Sequence, residues 1–166
     1  MTDTYRELLI IGLRNAHAME NQAQELLEQQ IRHAGDYPAV KRRLEEHLTE
    51  TLVQKRRLER ALHQMDSSPS MLKVMLLSLG VNLAAIGHAV AGDEILKNTF
   101  ANHALENYEI AVYRSLLAMC DEAGIRGFVD DLRASLMEEE RMAKWISENV
   151  ENVTRQYMDH ERSEAA

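Results

Sequence analysis

Four glutamates stand at matched distances from two glycines in this chain. Glu20 lies fifteen residues before Gly35 and Glu50 fifteen after it, and Glu109 and Glu139 stand the same way around Gly124. If each glycine marks the turn of an antiparallel helical hairpin, the two glutamates of a pair come level. At about 1.5 Å of rise per residue they sit roughly 22 Å from the turn. Two such hairpins packed together would collect four carboxylates near the middle of one bundle. Carboxylates withdrawn from water are costly unless a cation or hydrogen-bond donors compensate them. The spacing therefore points to a metal site as well as to a fold.

Composition supports the helical premise. Among 166 residues there are only seven glycines and two prolines, and Leu, Ala, Glu, Arg and Met are abundant, a mixture that favours helix. The length suits one domain, 1–166, with a core of useful size. A net charge of −8 argues against a nucleic-acid binder. The basic clusters Lys41-Arg42-Arg43 and Lys55-Arg56-Arg57 are interleaved with acids and read as solvated helix faces. The single cysteine, Cys120, excludes an intrachain disulfide, fits a reducing compartment, and reads as a small buried residue rather than a reactive thiol. The segment Met71–Val90 approaches the length of a membrane span. Lys73, Asn82, His88 and two glycines interrupt it, so it reads as a buried crossover or subunit interface. With no signal-like pattern at the start, the chain is expected to be cytoplasmic, without membrane or nucleic-acid partners.

Hydrophobic periodicity predicts a first helix over about 4–32, with Leu9, Leu13, Ala16, Met19 or Glu20, Ala23, Leu27 and Ile31 at three- and four-residue steps. Gly35-Asp36-Tyr37-Pro38 supplies a turn and a proline for the next helix start. A second helix follows to about Met65, with Leu44, Leu48, Leu52, Leu58 and Leu62 on its apolar side. Asp66-Ser67-Ser68-Pro69-Ser70 ends it, and a further helix start after Pro69 leads into the apolar segment. A third long helix runs from about Gly92-Asp93 to Glu122, and a fourth from about Ile125 or Arg126 to Val150. The polar tail from about residue 151 would fray or extend as loose helix. The connection from Asp66 to Asp93 is long enough to cross the bundle, which excludes a simple up-down-up-down order. A shift of 89 residues carries Glu20 onto Glu109, Gly35 onto Gly124 and Glu50 onto Glu139, and His17 onto Glu106.

Residues three apart share a helix face, which pairs His17 with Glu20, His47 with Glu50, and Glu106 with Glu109. In the run Glu138-Glu139-Glu140, Glu139 is the inward member, three residues from both Leu136 and Met142. A bundle contributing a carboxylate from each of four helices is the plan of dinuclear iron and manganese carboxylate proteins.

The segments Ala16-His17-Ala18-Met19-Glu20, His47-Leu48-Thr49-Glu50-Thr51-Leu52-Val53-Gln54, Glu106-Asn107-Tyr108-Glu109 and Glu138-Glu139 with Met142 and Trp145 resemble the YciE/YciF family of bacterial ferritin-like proteins, closest to the YciE branch. The resemblance covers nearly the whole chain. It implies an all-α, ferritin-like four-helix bundle of two antiparallel hairpins with a long helical crossover between helices 2 and 3. It further implies a homodimer, a dinuclear iron or manganese centre and a link to bacterial stress responses. By position, Glu20, Glu50, Glu109 and Glu139 match the four core carboxylates, and Glu106 matches an extra glutamate of rubrerythrin-like proteins. The chain departs from the ferritin-like Glu-x-x-His pattern, because Val53 and Met142 stand where histidines are expected. His47, Gln54 and His17 are candidate substitutes, with His47 also able to orient Glu50. Oxygen-rich donors suit manganese or iron.

Two functions are open to such a chain. In the first, metal ions bridged by Glu50 and Glu139, with Glu20 and Glu109 as terminal ligands, meet peroxide or dioxygen, and an electron partner is not identified. The second is non-enzymatic: a metal-binding or structural stress protein acting through dimer assembly.

Overall fold

The computed structural model describes residues 2–69 and 94–165. They form four helices: α1 (Thr2–His33), α2 (Pro38–Gln64), α3 (Glu94–Glu122) and α4 (Val129–Glu164). The predicted helix after Pro69, the Gly92-Asp93 break and the apolar segment Met71–Val90 lie outside the described residues. No described helix is long and apolar enough to cross a membrane.

The hydrogen bonds between helices fix the directions. Glu20 meets Tyr113 and Gln30 meets Asn102, so α1 and α3 run antiparallel. Gln54 meets Glu139 and Arg60 meets Asp131, so α2 and α4 do too. With a short turn inside each hairpin, α2 and α3 therefore point the same way. The end of α2 lies beside the start of α1, where Arg14 Nε donates to Ser68 O at 3.1 Å. The start of α3 lies at the opposite end, with Glu94 Oε1 3.5 Å from His33 Nδ1. The described ends of the crossover are thus at opposite ends of the bundle, and the up-down-up-down order is excluded.

The two hairpin turns differ. The first has Pro38 opening α2 and Tyr37 N–H donating to Ala34 O at 3.1 Å. The second is a left-handed helix stop: Gly124 has φ +68, its N–H donates to Asp121 O, and Ile125 N–H donates to Cys120 O. That is the Schellman pattern that satisfies the last carbonyls of a helix. Asp66, with φ 51, closes α2 in the same manner.

Two apolar clusters form the core. The lower one joins Leu9, Leu13, Leu58, Leu62, Leu116 and Leu132 with Cys120 and Phe128. There α1 and α3 approach so closely that a Cβ on Gly12 would stand 2.9 Å from Leu116 Cδ2. The upper one joins Leu27, Tyr37, Val40, Leu44, Met142, Ile146 and Val153. Of the two expectations for the tail, fraying or extension as helix, the structure shows the second, with continuous helix to Glu164. Its physical anchor is Val153 in the upper core, with the ring of His160 edge-on to Tyr37. Helix α4 also begins later than expected, at Val129, after Phe128 packs into the lower core.

Candidate metal centre

Between the two apolar clusters lies a polar layer withdrawn from solvent. Each helix supplies it through the one or two residues per turn that its packing face presents inward. On α2 the buried row is Val40, Leu44, His47, Thr51, Gln54, Leu58 and Ala61-Leu62; on α3 it includes Asn102, Glu106, Glu109, Tyr113 and Leu116. Helix α4 supplies Leu132, Ser135, Glu139 and Met142, and α1 supplies Glu20 next to Met19 and Ala23.

Four of these side chains converge. His47, Glu106, Glu109 and Glu139 each offer one ligand atom, all within 4.8 Å of one another, and all four residues are buried. His47 Nε2 is 3.2 Å from Glu106 Oε2 and 3.6 Å from Glu139 Oε2. Its other nitrogen, Nδ1, is 3.0 Å from Glu50 Oε2. Glu20 flanks the group and accepts from the Tyr113 hydroxyl at 2.5 Å through Oε1. Gln54 Nε2 donates to Glu139 Oε1 and, at 3.0 Å, to Glu138 Oε2. Arg57 fixes Glu138 from outside, with NH1 2.5 Å from Oε2.

The electrostatics are those of carboxylates packed without enough positive charge. Burial, then the neighbouring acids, push Glu109 and Glu139 well above the usual carboxylate range. Burial raises Glu20 to about 8 against the lowering effect of its Tyr113 hydrogen bond. Burial alone would depress His47, yet Glu106, Glu50 and Glu139 around it hold its pKa well above 6.5. The Tyr113 phenol is raised by burial and by Glu20. Several buried polar atoms have no hydrogen-bond partner among the described residues: Glu20 Oε2, Glu106 Oε2, Glu109 Oε1 and Glu139 Oε2, with Thr51 Oγ1 and Gln54 Oε1 beside them. A cluster of orphaned carboxylate oxygens around a histidine nitrogen fits a bound metal ion, which would supply the missing positive partner.

The sequence candidates divide accordingly. Glu106, Glu109, Glu139 and His47 come together, and Glu20 and Gln54 border them. Glu50 does not join the group; its side chain is 21% exposed and bonded to Arg43 NH2 at 3.1 Å and Arg141 NH2 at 3.2 Å. Burial would raise it, but His47 and the two arginines hold it down to about 2. His17 lies outside, its Nε2 3.1 Å from Glu59 Oε1. His103 pairs with Ser147 at the surface. Met142 is buried in the upper core and Val53 is half-buried, so neither replaces a ligand. Sequence reasoning passed over Thr51, whose signal was its place between His47 and Gln54 on the buried row of α2.

This architecture places the chain among the ferritin-like bundles. It belongs to a family described as a domain of unknown function, DUF892, whose family model matches residues 4–159. The solved structure of a Xanthomonas campestris pv. campestris protein is similar to it at 27% identity and a TM-score of 0.80, over 95% of this chain and 99% of that one. YcfI from Rhodopseudomonas palustris, which has been proposed to be a structural protein, is 26% identical with a TM-score of 0.76, over 86% and 92% of the two chains.

Proposed function

We propose that this protein is a ferritin-like metal-binding bundle whose centre takes iron or manganese, with peroxide or dioxygen as the reacting partner in a bacterial stress response. The observation that carries the reading is the set of orphaned oxygens on Glu106, Glu109 and Glu139 facing His47 in a buried layer. Three carboxylates and one imidazole suit hard or borderline ions of the first row. Such an ion supplies Lewis acidity and adjacent oxidation states at the site.

The chain's own residues do the rest. Tyr113 donates to Glu20 and fixes that carboxylate at the edge of the layer. Gln54 holds Glu139 and Glu138 in place, and Arg57 secures Glu138. The apolar clusters above and below exclude water along the bundle axis. Glu50, nearest to solvent and bonded to His47, marks the side on which the layer opens.

The test is the metal content of protein purified from cells grown with added iron or manganese, followed by peroxide consumption. Bound metal with turnover supports the reading, and protein free of both metals under both conditions would sink it. Metal without turnover would favour a second reading, a metal-binding structural protein that acts by self-assembly. Two observations favour that alternative: the role proposed for YcfI, and an exposed apolar row of Tyr5, Leu8 and Ile11 on α1.

A further inference from the structure

We infer that the centre seats a single metal ion through His47, Glu106, Glu109 and Glu139, and that Glu50 orients His47 instead of bridging two ions. The inference rests on the metal-binding reading above and concerns how many ions the site takes and what Glu50 does there.

Geometry sets the capacity. First-row ions hold nitrogen and oxygen donors at about 2.0–2.2 Å, so donors on opposite sides of one ion stand roughly 4 Å apart. The four converging atoms, all within 4.8 Å of one another, span about that distance. Two-ion centres place their metals about 3.5–4 Å apart and need bridging groups and a second ligand set. Among the described residues several donors for such a set are already engaged. Both oxygens of Glu50 are taken, Oε1 by Arg141 and Oε2 by Arg43 and His47. Glu20 Oε1 is held by Tyr113, and Glu139 Oε1 by Gln54. Setting aside the second oxygens of Glu106 and Glu109, whose carboxylates already serve the first ion, the fully buried atoms left without partners are Glu20 Oε2, Gln54 Oε1 and Thr51 Oγ1. That is one carboxylate oxygen, an amide and a hydroxyl, with no imidazole, because Val53 and Met142 stand at the positions where histidine would be expected.

The same contacts define the role of Glu50. With Nδ1 of His47 donating to Glu50 Oε2, Nε2, which faces Glu106 and Glu139, is the nitrogen left to bind an ion that displaces its proton. A carboxylate behind a metal-binding histidine fixes its tautomer and ring orientation and strengthens it as a donor. Arg43 and Arg141 hold that carboxylate ionised at the rim. Glu50 is thus a positioning residue.

Titration of the metal-free protein with Mn²⁺, read by calorimetry and by electron paramagnetic resonance, tests this. One ion per chain with the hyperfine pattern of an isolated ion is expected. Glu50→Ala should keep that stoichiometry with affinity weakened roughly 10- to 100-fold, and Glu50→Gln, whose amide oxygen still accepts from Nδ1, should recover part of it. Glu109→Gln should bind weakly or not at all while remaining helical by circular dichroism. Two ions per chain with a spin-coupled spectrum would overturn the inference and leave metal binding intact. Unchanged affinity in Glu50→Ala would overturn the role given to Glu50. Wild-type protein that binds neither Mn²⁺ nor Fe²⁺ would remove the metal-binding reading, and this inference with it.

Discussion

The two hairpins share a plan but not a rotation. Glu139 is fully buried in the polar layer, while its counterpart Glu50, at the same distance from its own turn, is bonded to two arginines at the rim. On α4 the inward residues are Leu132, Ser135, Glu139 and Met142. Carried back by the shift of 89, they would put Glu50 inward on α2, but α2 buries Thr51 instead, with His47 and Gln54 either side. One residue of offset is about 100° of helix rotation. Equal spacing from a turn fixes the height of a residue on a helix. The direction it faces is fixed by whatever else shares its stripe.

The largest effects test where the symmetry holds. Leu27 and Leu116 are related by the same shift and are both buried, one in the upper core and one in the lower. Leu27→Ala and Leu116→Ala should each cost about 2–5 kcal/mol in urea unfolding. A several-fold difference between them would show that the two ends of the bundle are packed on different principles. Next comes the pair where the symmetry fails. A site filled at 100 times its Kd adds roughly 2.7 kcal/mol of stability. Glu139→Gln should abolish the rise in Tm that Mn²⁺ gives the wild type, and Glu50→Gln should keep it at saturating metal. Equal loss in both would restore the symmetric four-carboxylate site.

The fold was legible because it depends on coarse signals. The two glycine turns, Pro38 and the three- and four-residue apolar steps of α1 locate the helices to within a few residues. The parallel run of α2 and α3 was signalled by the connection from Asp66 to Asp93, which is long enough to cross the bundle. Glu20, Glu109 and Glu139 were readable because apolar neighbours bracket them on one face. Glu50 misled because Leu48 and Leu52 suggested an apolar side displaced from the buried row, whereas both are only half-buried. The true row of α2 carries polar residues at its centre, and a polar residue on a buried stripe looks like surface until its partners are known. The tail stood between fraying and helix for a related reason: the apolar residues that anchor this polar segment are few, Val153 and the half-buried Tyr157.

The same comparison predicts opposite pH dependences in metal-free protein. Glu20, raised to about 8, and the raised Glu109 and Glu139 keep protons that the unfolded chain releases above about 4.5. Stability should therefore fall as pH rises through that interval. His47, also raised, adds stability below its ordinary 6.5 that is lost as pH rises through its folded value. Glu50, held at about 2, contributes stability present above 4.5 and lost as pH falls toward 2. In Tm measurements with chelator, Glu109→Gln should flatten the neutral limb and Glu50→Gln only the acid limb. A wild-type Tm that climbs steadily from about pH 5 to 8 would contradict the burial of unpaired carboxylates.

The smallest contrast lies in the turns that the sequence made look alike. Gly124 sits at φ +68 and ends α3 with the two hydrogen bonds of a left-handed stop. A β-carbon there crowds the following carbonyl, so Gly124→Ala should cost about 1–2 kcal/mol. Gly35 has no such φ, and nothing stands within 4 Å of a β-carbon built on it. Gly35→Ala should therefore be neutral or stabilise by up to about 1 kcal/mol, through the lower entropy of the unfolded chain. Chemical denaturation of the two variants checks the pair. Equal destabilisation would mean that the first turn also depends on its glycine, and that the hairpins are more alike at their turns than at their carboxylates.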